Sequence, residues 1–212
     1  MIEDIKPIIL GGINCNCYLL KTDKGFVLID TGKSKRKKLE QELVSEGCVP
    51  GNLDLIIITH GDFDHTGNCA YLREKYNTKI AMNQYDAGMV ENNDMFWNRK
   101  TGNIIIKKLI NLFFKIRKFK PDFYIDEDSD LSKYGLDVKV LYLPGHTKGS
   151  IGIPTNDKNL FCGDLFTNQK RPQPNSLVDN LNEMNESINK IKGLEINTVY
   201  PGHGQSFQMS SY

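Results

Sequence analysis

No part of this 212-residue chain is apolar for long. The longest runs, such as residues 55–58, fall far short of the roughly 20 residues that cross a bilayer, so no integral membrane segment is expected. Residues 1–6 (MIEDIK) carry neither a signal-peptide nor a transit-peptide pattern. Cysteine is sparse. Cys15, Cys17, Cys48, Cys69 and Cys162 form an odd set without a Cys-x-x-Cys pair, which argues for free thiols and a cytoplasmic location rather than a disulfide framework. Neither charge sign dominates: the formal net charge is +1, so global electrostatics select no nucleic acid and no acidic partner. Short repeats and low-complexity segments are missing as well. Only four histidines are present, and their placement turns out to be the most informative feature.

What is present fits an ordinary globular chain, with 39% hydrophobic and 25% charged residues and enough length for one domain with a sizeable core. β-Prone runs at 5–10, 15–20 and 26–29 are separated by Gly11-Gly12 and Asp23-Lys24-Gly25, both turn signals. Residues 34–46 read as a helix with Leu39, Leu43 and Val44 inward and Gly47 as its stop. The run 55–58 lacks alternation, as in a strand buried on both faces. A helix over 66–76 and a strand over 79–82 follow. In the last third, strands are predicted at 138–143, 150–153, 160–162 and 197–200. A helix over 176–192 carries Leu177, Leu181, Met184, Ile188 and Ile191 at helical steps, with Ser176 and Asp179 as a capping box. Two groups of strands, each with helices, predict an α/β architecture of two sheets enclosed by helices within a single domain, residues 1–212.

A basic helical insertion interrupts this pattern at about residues 94–121. Residues 99–120 hold eight Lys or Arg and no acid, and Pro121 ends the stretch. Ile105, Leu109, Leu112, Ile116 and Phe119 share one helical face, opposite Lys108, Asn111, Lys115 and Lys118. The bland expectation is an amphipathic helix docked by its apolar face with the lysines in solvent. A functional expectation makes it a lid, with Trp97 and Phe113 or Phe114 giving apolar contact and the lysines drawing an anionic substrate. A peripheral membrane helix is a third reading.

The chemistry concentrates in Thr59-His60-Gly61-Asp62-Phe63-Asp64-His65-Thr66-Gly67, four potential metal ligands within six residues after a buried strand. Imidazole suits zinc, iron and manganese, and carboxylates favour the harder ions. Alone, such a loop could be a polar turn capping the next helix. His146 in Pro144-Gly145-His146-Thr147 and His203 in Pro201-Gly202-His203-Gly204 also follow predicted strands, and Asp164 closes another in Cys162-Gly163-Asp164. Four histidines in glycine-containing loops at strand exits suit a shared site better than core or surface roles.

These elements resemble the metallo-β-lactamase superfamily, whose signature is His-x-His-x-Asp-His, a Gly-His-Thr-x-Gly-Ser loop, an Asp and a late His. Here they stand, in that order, as His60 to His65, Gly145-His146-Thr147-Lys148-Gly149-Ser150, Asp164 and His203, with Asn16-Cys17-Tyr18-Leu19-Leu20 and Leu28-Ile29-Asp30-Thr31-Gly32 similar to the family's opening strands. The resemblance implies a four-layer αβ/βα sandwich of two mixed β-sheets flanked by helices, with two metal ions at one edge. It implies a first metal on His60, Asp62 and His146, a second on Asp64, His65 and His203, and Asp164 bridging. Asp30 would brace the metal loops by hydrogen bonds; a turn-forming Asp is the alternative.

One departure matters. Asp62 stands where the family usually has a second His, which makes the site more negative and favours harder ions, so zinc, iron and manganese all stay open. A carboxylate there is similar to the di-iron flavoprotein branch, whose flavin domain would need more chain than is present. The expected chemistry is a metal-bridging hydroxide attacking a small ester, thioester, lactone or phosphodiester, with Asp64 orienting the nucleophile and taking its proton. Glyoxalase-II-like thioester cleavage falls within that class. The rival expectations are an iron-dependent oxidoreductase, acting on dioxygen or nitric oxide at a di-iron site or as a persulfide dioxygenase, and a metal-binding protein without catalysis. Cys15 and Cys17 are expected in the core, and Lys170 and Arg171 could meet an anion. The partner is expected to be a small molecule, anionic if the lysines border the site. The sequence leaves the substrate and the oligomeric state open.

Overall fold

The computed structural model describes residues 1–33, 35–99 and 104–212, so the expected helix start at Ser34 and the basic Lys100 lie outside the described residues. Six strands form a first mixed sheet in sequential order: β1 (Ile2–Ile9), β2 (Asn16–Thr22), β3 (Phe26–Ile29), β4 (Leu53–Ile58), β5 (Lys79–Met82) and β6 (Phe123–Tyr124). The first three pair antiparallel and the last three run parallel to β3. Successive side chains of a strand point to opposite faces. In β4, Leu55 and Ile57 accordingly join one apolar layer and Ile56 and Ile58 another, all buried, which is why this run shows no alternation.

Helices α1 (Arg36–Ser45), α2 (Phe63–Thr66) and α3 (Cys69–Tyr76) follow β3 and β4. Leu39 and Leu43 of α1 and Leu72 and Tyr76 of α3 cover the outer face of the first sheet together with Cys15 and Cys17. Val44, expected inward, is exposed. The predicted 66–76 helix is two helices, because the ligand loop itself turns helical at Phe63 and the chain re-enters at Asn68. Then come α4 (Gln84–Asn92) and α5 (Ile104–Phe113).

The second half begins with a small hairpin, β7 (Asp130–Leu131) and β8 (Leu136–Lys139). The second sheet contains β9 (Leu141–Tyr142), β10 (Ile151–Pro154), β11 (Asn159–Asn168), β12 (Gln173–Pro174), β13 (Thr198–Gly204) and β14 (Phe207–Gln208). Its β11 and β13 are parallel, and the other pairs are antiparallel. Ile151, Ile153 and Phe161 meet Leu20, Val27, Leu55 and Ile57 between the sheets. On the far side, Met184, Ile188 and Ile191 of α6 (Leu181–Lys192) pack on Leu160, Cys162 and Val199. Helices, sheet, sheet and helix give the expected four layers.

Two expectations about helices change. The expected capping box at Ser176 is not used: Asn180 caps α6, its side chain accepting from the amides of Asn182 and Glu183, and Leu177 and Leu181 are exposed. Residues before the cap are committed elsewhere, since Asp179 and Asn180 both donate their amides to the Gly145 carbonyl. Lys108, Lys115 and Lys118 stay in solvent, as expected, but the basic helix does not dock by the predicted apolar stripe. Its stripe of Ile105, Leu109 and Leu112 faces outward, the last two 54% and 58% exposed, while Asn111 anchors it by accepting from the Met95 amide (3.1 Å) and donating to Asp94 (2.5 Å). Phe114 stacks on Phe63, with centroids 4.4 Å apart. Of the expected buried stripe, Ile116 and Phe119 beyond the helix end are covered. Among the described residues, no helix is long and apolar enough to cross a membrane.

Phe161 is fully buried between the sheets, with its ring 5.1 Å from that of Tyr18 and 4.9 Å from that of Tyr200. Phe161→Ala is expected to lower unfolding free energy by about 3–5 kcal/mol, measured by urea denaturation, without altering the ligand loops.

Candidate metal centre

The strand ends deliver the polar side chains to one edge of the sandwich. His60, Asp62, Asp64 and His65 leave β4, and His146 sits between β9 and β10. Asp164 and His203 lie within β11 and β13 rather than after them. The two strands pair irregularly between Phe161 and Thr167, and this kinked stretch turns Asp164 toward the edge. Glycine beside His203 has a steric reason: a Cβ on Gly202 would lie 2.2 Å from Asp164 Oδ1. Gly145, before His146, has φ +135° and lies against the α6 backbone at Met184.

All seven expected ligands come together. Donor atoms of His60, Asp62 and His146 lie within 4.8 Å of one another, as do those of Asp64, His65 and His203. Asp164 stands between the groups, with Oδ1 3.4 Å from His65 Nε2 and Oδ2 3.7 Å from His146 Nε2 and 3.6 Å from His203 Nε2. A cavity of about 750 Å³ opens over them.

Proton positions follow from the partners. His65 Nδ1 is 2.8 Å from Asp30 Oδ2, and His146 Nδ1 is 2.6 Å from the Leu177 carbonyl. Both partners are acceptors, so each imidazole carries a proton on Nδ1 and turns Nε2 toward the other ligands. The Thr59 hydroxyl donates to Asp30 (2.8 Å), which leaves its oxygen to accept from His60 Nδ1 (3.1 Å). Asp30 also accepts from the Thr59 amide at 2.9 Å. It thereby ties β3 to the ligand loop and orients two histidines. Among the described residues, His60 Nε2, His65 Nε2 and Asp164 Oδ1 are buried without a hydrogen-bond partner. Orphaned lone pairs converging at this range are what a cation would satisfy.

The charge points the same way. Burial pushes His65 down, but the negative groups around it, Asp30, Asp64 and Asp164 among them, outweigh burial and raise it well above an ordinary histidine. Burial likewise disfavours the Asp62 carboxylate, yet Arg99, with His146 and His60, holds it well below the usual range. Asp164 is depressed in the same way, against its burial, by the surrounding imidazoles. The cluster draws positive charge.

Three contributors escape sequence reasoning. Asp86, in the first turn of α4 and fully buried, accepts from the Gly61 amide (2.9 Å), Thr147 Oγ1 (2.6 Å), the Gly149 amide (2.8 Å) and Asn98 Nδ2 (2.7 Å). One carboxylate thus clamps the loop of His60 to the loop of His146. Arg99 forms a two-pronged pair with Asp62. Lys33 lies over the rings of Phe63 and Phe114, 4.7 and 4.2 Å from their centroids. Nothing local in the sequence marks Asp86. Arg99 was visible only as one of several basic residues. Of the expected aromatic contacts, Phe114 lines the cavity and Trp97 and Phe113 are exposed. Lys170 and Arg171 are exposed and outside the cavity lining.

The sequence profile described as metallo-beta-lactamase superfamily matches residues 10–203. A probable metallo-hydrolase of Methanocaldococcus jannaschii is 27% identical over 199 residues, 92% of this chain and 89% of that protein. A hydroxyacylglutathione hydrolase, GloC of Haemophilus influenzae, is 27% identical over 77% of this chain and 72% of its own length. The crystal structure of TTHA1623 in a di-iron-bound form superposes with a TM-score of 0.77 at 24% identity, covering 97% of this chain and 95% of the other.

Asp86→Ala leaves several buried donors without an acceptor. It is expected to cost about 3 kcal/mol or more in stability, since each orphaned group costs about 1–3 kcal/mol. The thermal midpoint should fall with metal present and absent; an unchanged midpoint would mean that the clamp carries no load.

Proposed function

Because the chain belongs to the metallo-β-lactamase superfamily, we propose that it is a dinuclear metal-dependent hydrolase acting on a small ester, thioester, lactone or phosphodiester. The observation that carries this reading is the convergence of buried imidazole Nε2 and carboxylate oxygen atoms that have no hydrogen-bond partner among the described residues. His60, Asp62 and His146 would hold one divalent cation, Asp64, His65 and His203 the second, and Asp164 both. Zinc, iron and manganese all suit this donor set. When bound, the pair would supply water ionised near neutral pH and an electrophile for the developing negative charge.

The protein's own groups supply the rest. Asp64, part-exposed at the cavity and 3.1 Å from His203 Nε2, would orient the attacking water and take its proton. Asp30 and the Leu177 carbonyl keep His65 and His146 in the tautomer that offers Nε2. Asn175 donates to Asp164 Oδ2 at 2.9 Å and fixes that carboxylate's rotation. Ile110 and Phe114 wall the cavity, so the segment around α5 acts as a border to the site and gives a substrate an apolar contact. GloC, a thioester hydrolase by its name, makes thioesters the first class to try.

A second reading, an iron-dependent oxidoreductase, is favoured by one feature. Asp62 adds a hard oxygen donor, which suits iron.

The test is metal content combined with turnover. Purified protein is expected to hold two metal ions per chain and to hydrolyse a member of a thioester, lactone and phosphodiester panel. His146→Ala should hold about one ion fewer and lose on the order of 100-fold in kcat/KM. Stoichiometric iron with a visible charge-transfer band and no hydrolysis would favour the oxidoreductase instead.

A further inference from the structure

We propose that Arg99 is the charge partner of Asp62, a positioning residue that returns to the first metal site the positive charge a carboxylate ligand removes. The inference rests on reading the cluster as a metal centre. Arg99 Nη1 donates to Asp62 Oδ1 at 2.9 Å and Nη2 to Oδ2 at 3.0 Å, the fork geometry that matches guanidinium to carboxylate. The side chains are only 12% and 10% exposed, so solvent and salt screen the pair little.

The guanidinium is itself held in place. Nη1 also donates to the Met95 carbonyl (3.3 Å), Nε lies 3.9 Å from Asp179, and the Arg99 carbonyl accepts from Lys107 of α5 (2.8 Å). On the carboxylate, Oδ1 is committed to Arg99. Oδ2 is shared, lying 3.1 Å from His146 Nε2 and 3.6 Å from His60 Nε2. Oδ2 is therefore the oxygen offered to a cation, and Arg99 sets its direction.

Charge accounting gives the effect a sign. A triad of His60, Asp62 and His146 carries one negative charge more than a triad of histidines, and Arg99 cancels it. The cationic side chain also repels an incoming divalent ion, so the first site binds less tightly than an unpaired carboxylate would. A residue that merely supported Asp62 mechanically would act in the opposite direction, because its loss would loosen the ligand and weaken binding.

The experiment is Zn²⁺ competition against a chromophoric chelator at fixed pH and ionic strength, with no activity assay needed. Arg99→Gln is expected to tighten the weaker-binding step or leave a tightened first site by roughly ten-fold or more, the effect of one unit charge at close range. Arg99→Lys, which keeps the charge, should stay within about three-fold of the parent, well under one unit charge's effect. If Arg99→Gln fails to fold, Asp62→His against Asp62→His/Arg99→Gln carries the test. The single variant, with an unpaired guanidinium beside a neutral ligand, should bind more weakly than the double. Weaker or unchanged binding on removal of Arg99 in both backgrounds would overturn the proposal while leaving the metal centre intact. A parent protein that takes up no Zn²⁺ would overturn both.

Discussion

Carboxylates packed at the edge of a protein repel one another and lose hydration, and this edge holds Asp30, Asp62, Asp64 and Asp164 within reach of the same imidazoles. Leaving such charges uncompensated costs several kcal/mol each. The surroundings are organised around that cost. Two imidazoles are drawn toward protonation, a guanidinium is brought in against Asp62, and backbone amides, hydroxyls and a side-chain amide are spent on Asp30, Asp86 and Asp164. What is left over is equally specific: two imidazole Nε2 atoms and one carboxylate oxygen, buried and without a hydrogen-bond partner among the described residues. A site that draws cations and keeps lone pairs open is built for metal.

Precision in such a site comes from what lies behind the ligands. The Asp30 carboxylate meets the Thr59 amide, the Thr59 hydroxyl and His65 Nδ1, and Asp30 itself adopts φ 57°, a left-handed conformation that costs energy outside glycine. The surrounding hydrogen bonds pin that conformation. Asp86, in the first turn of α4, plays the matching part between the loops of His60 and His146. These braces are carboxylates saturated by donors. That distinguishes them from Asp164, whose Oδ1 is open.

The sequence was legible where chemistry is local. His60 to His65 lie within six residues, and the loops of His146 and His203 announce themselves by glycine, so a shared site was expected from the residues, while the division into ligand triads and the four-layer sandwich came with the resemblance to the superfamily. Period-2 and period-3.6 patterns located most strands and helices within a few residues. Contacts that cross the molecule were not legible. Asp86 looks like any acid in a helix's first turn, and Arg99 like one more base in a basic segment. The α5 pattern shows a stripe, but amphipathicity alone does not say which side docks; Asn111, bonded to Asp94 and Met95, decides it. Ser176 and Asp179 imitate a capping box. The chain instead uses that stretch to supply Leu177's carbonyl to His146 and Asn175's amide to Asp164, so the helix starts later.

Both proposed metal positions straddle the two sheets. His60 and Asp62 follow β4 of the first sheet while His146 borders the second, and Asp64 and His65 are likewise matched with His203. Neither half of the chain can assemble either triad alone. A cation that binds only the assembled cluster stabilises the packed sheets and not the separated ones, by an amount that grows with its affinity and concentration. Metal would then act as a cross-link between distant chain segments at the end of the sandwich where loops, rather than an apolar layer, hold the sheets together. On this view the same charge concentration that makes the metal-free edge costly makes the loaded edge its firmest point, and catalytic geometry and fold stability become a single quantity.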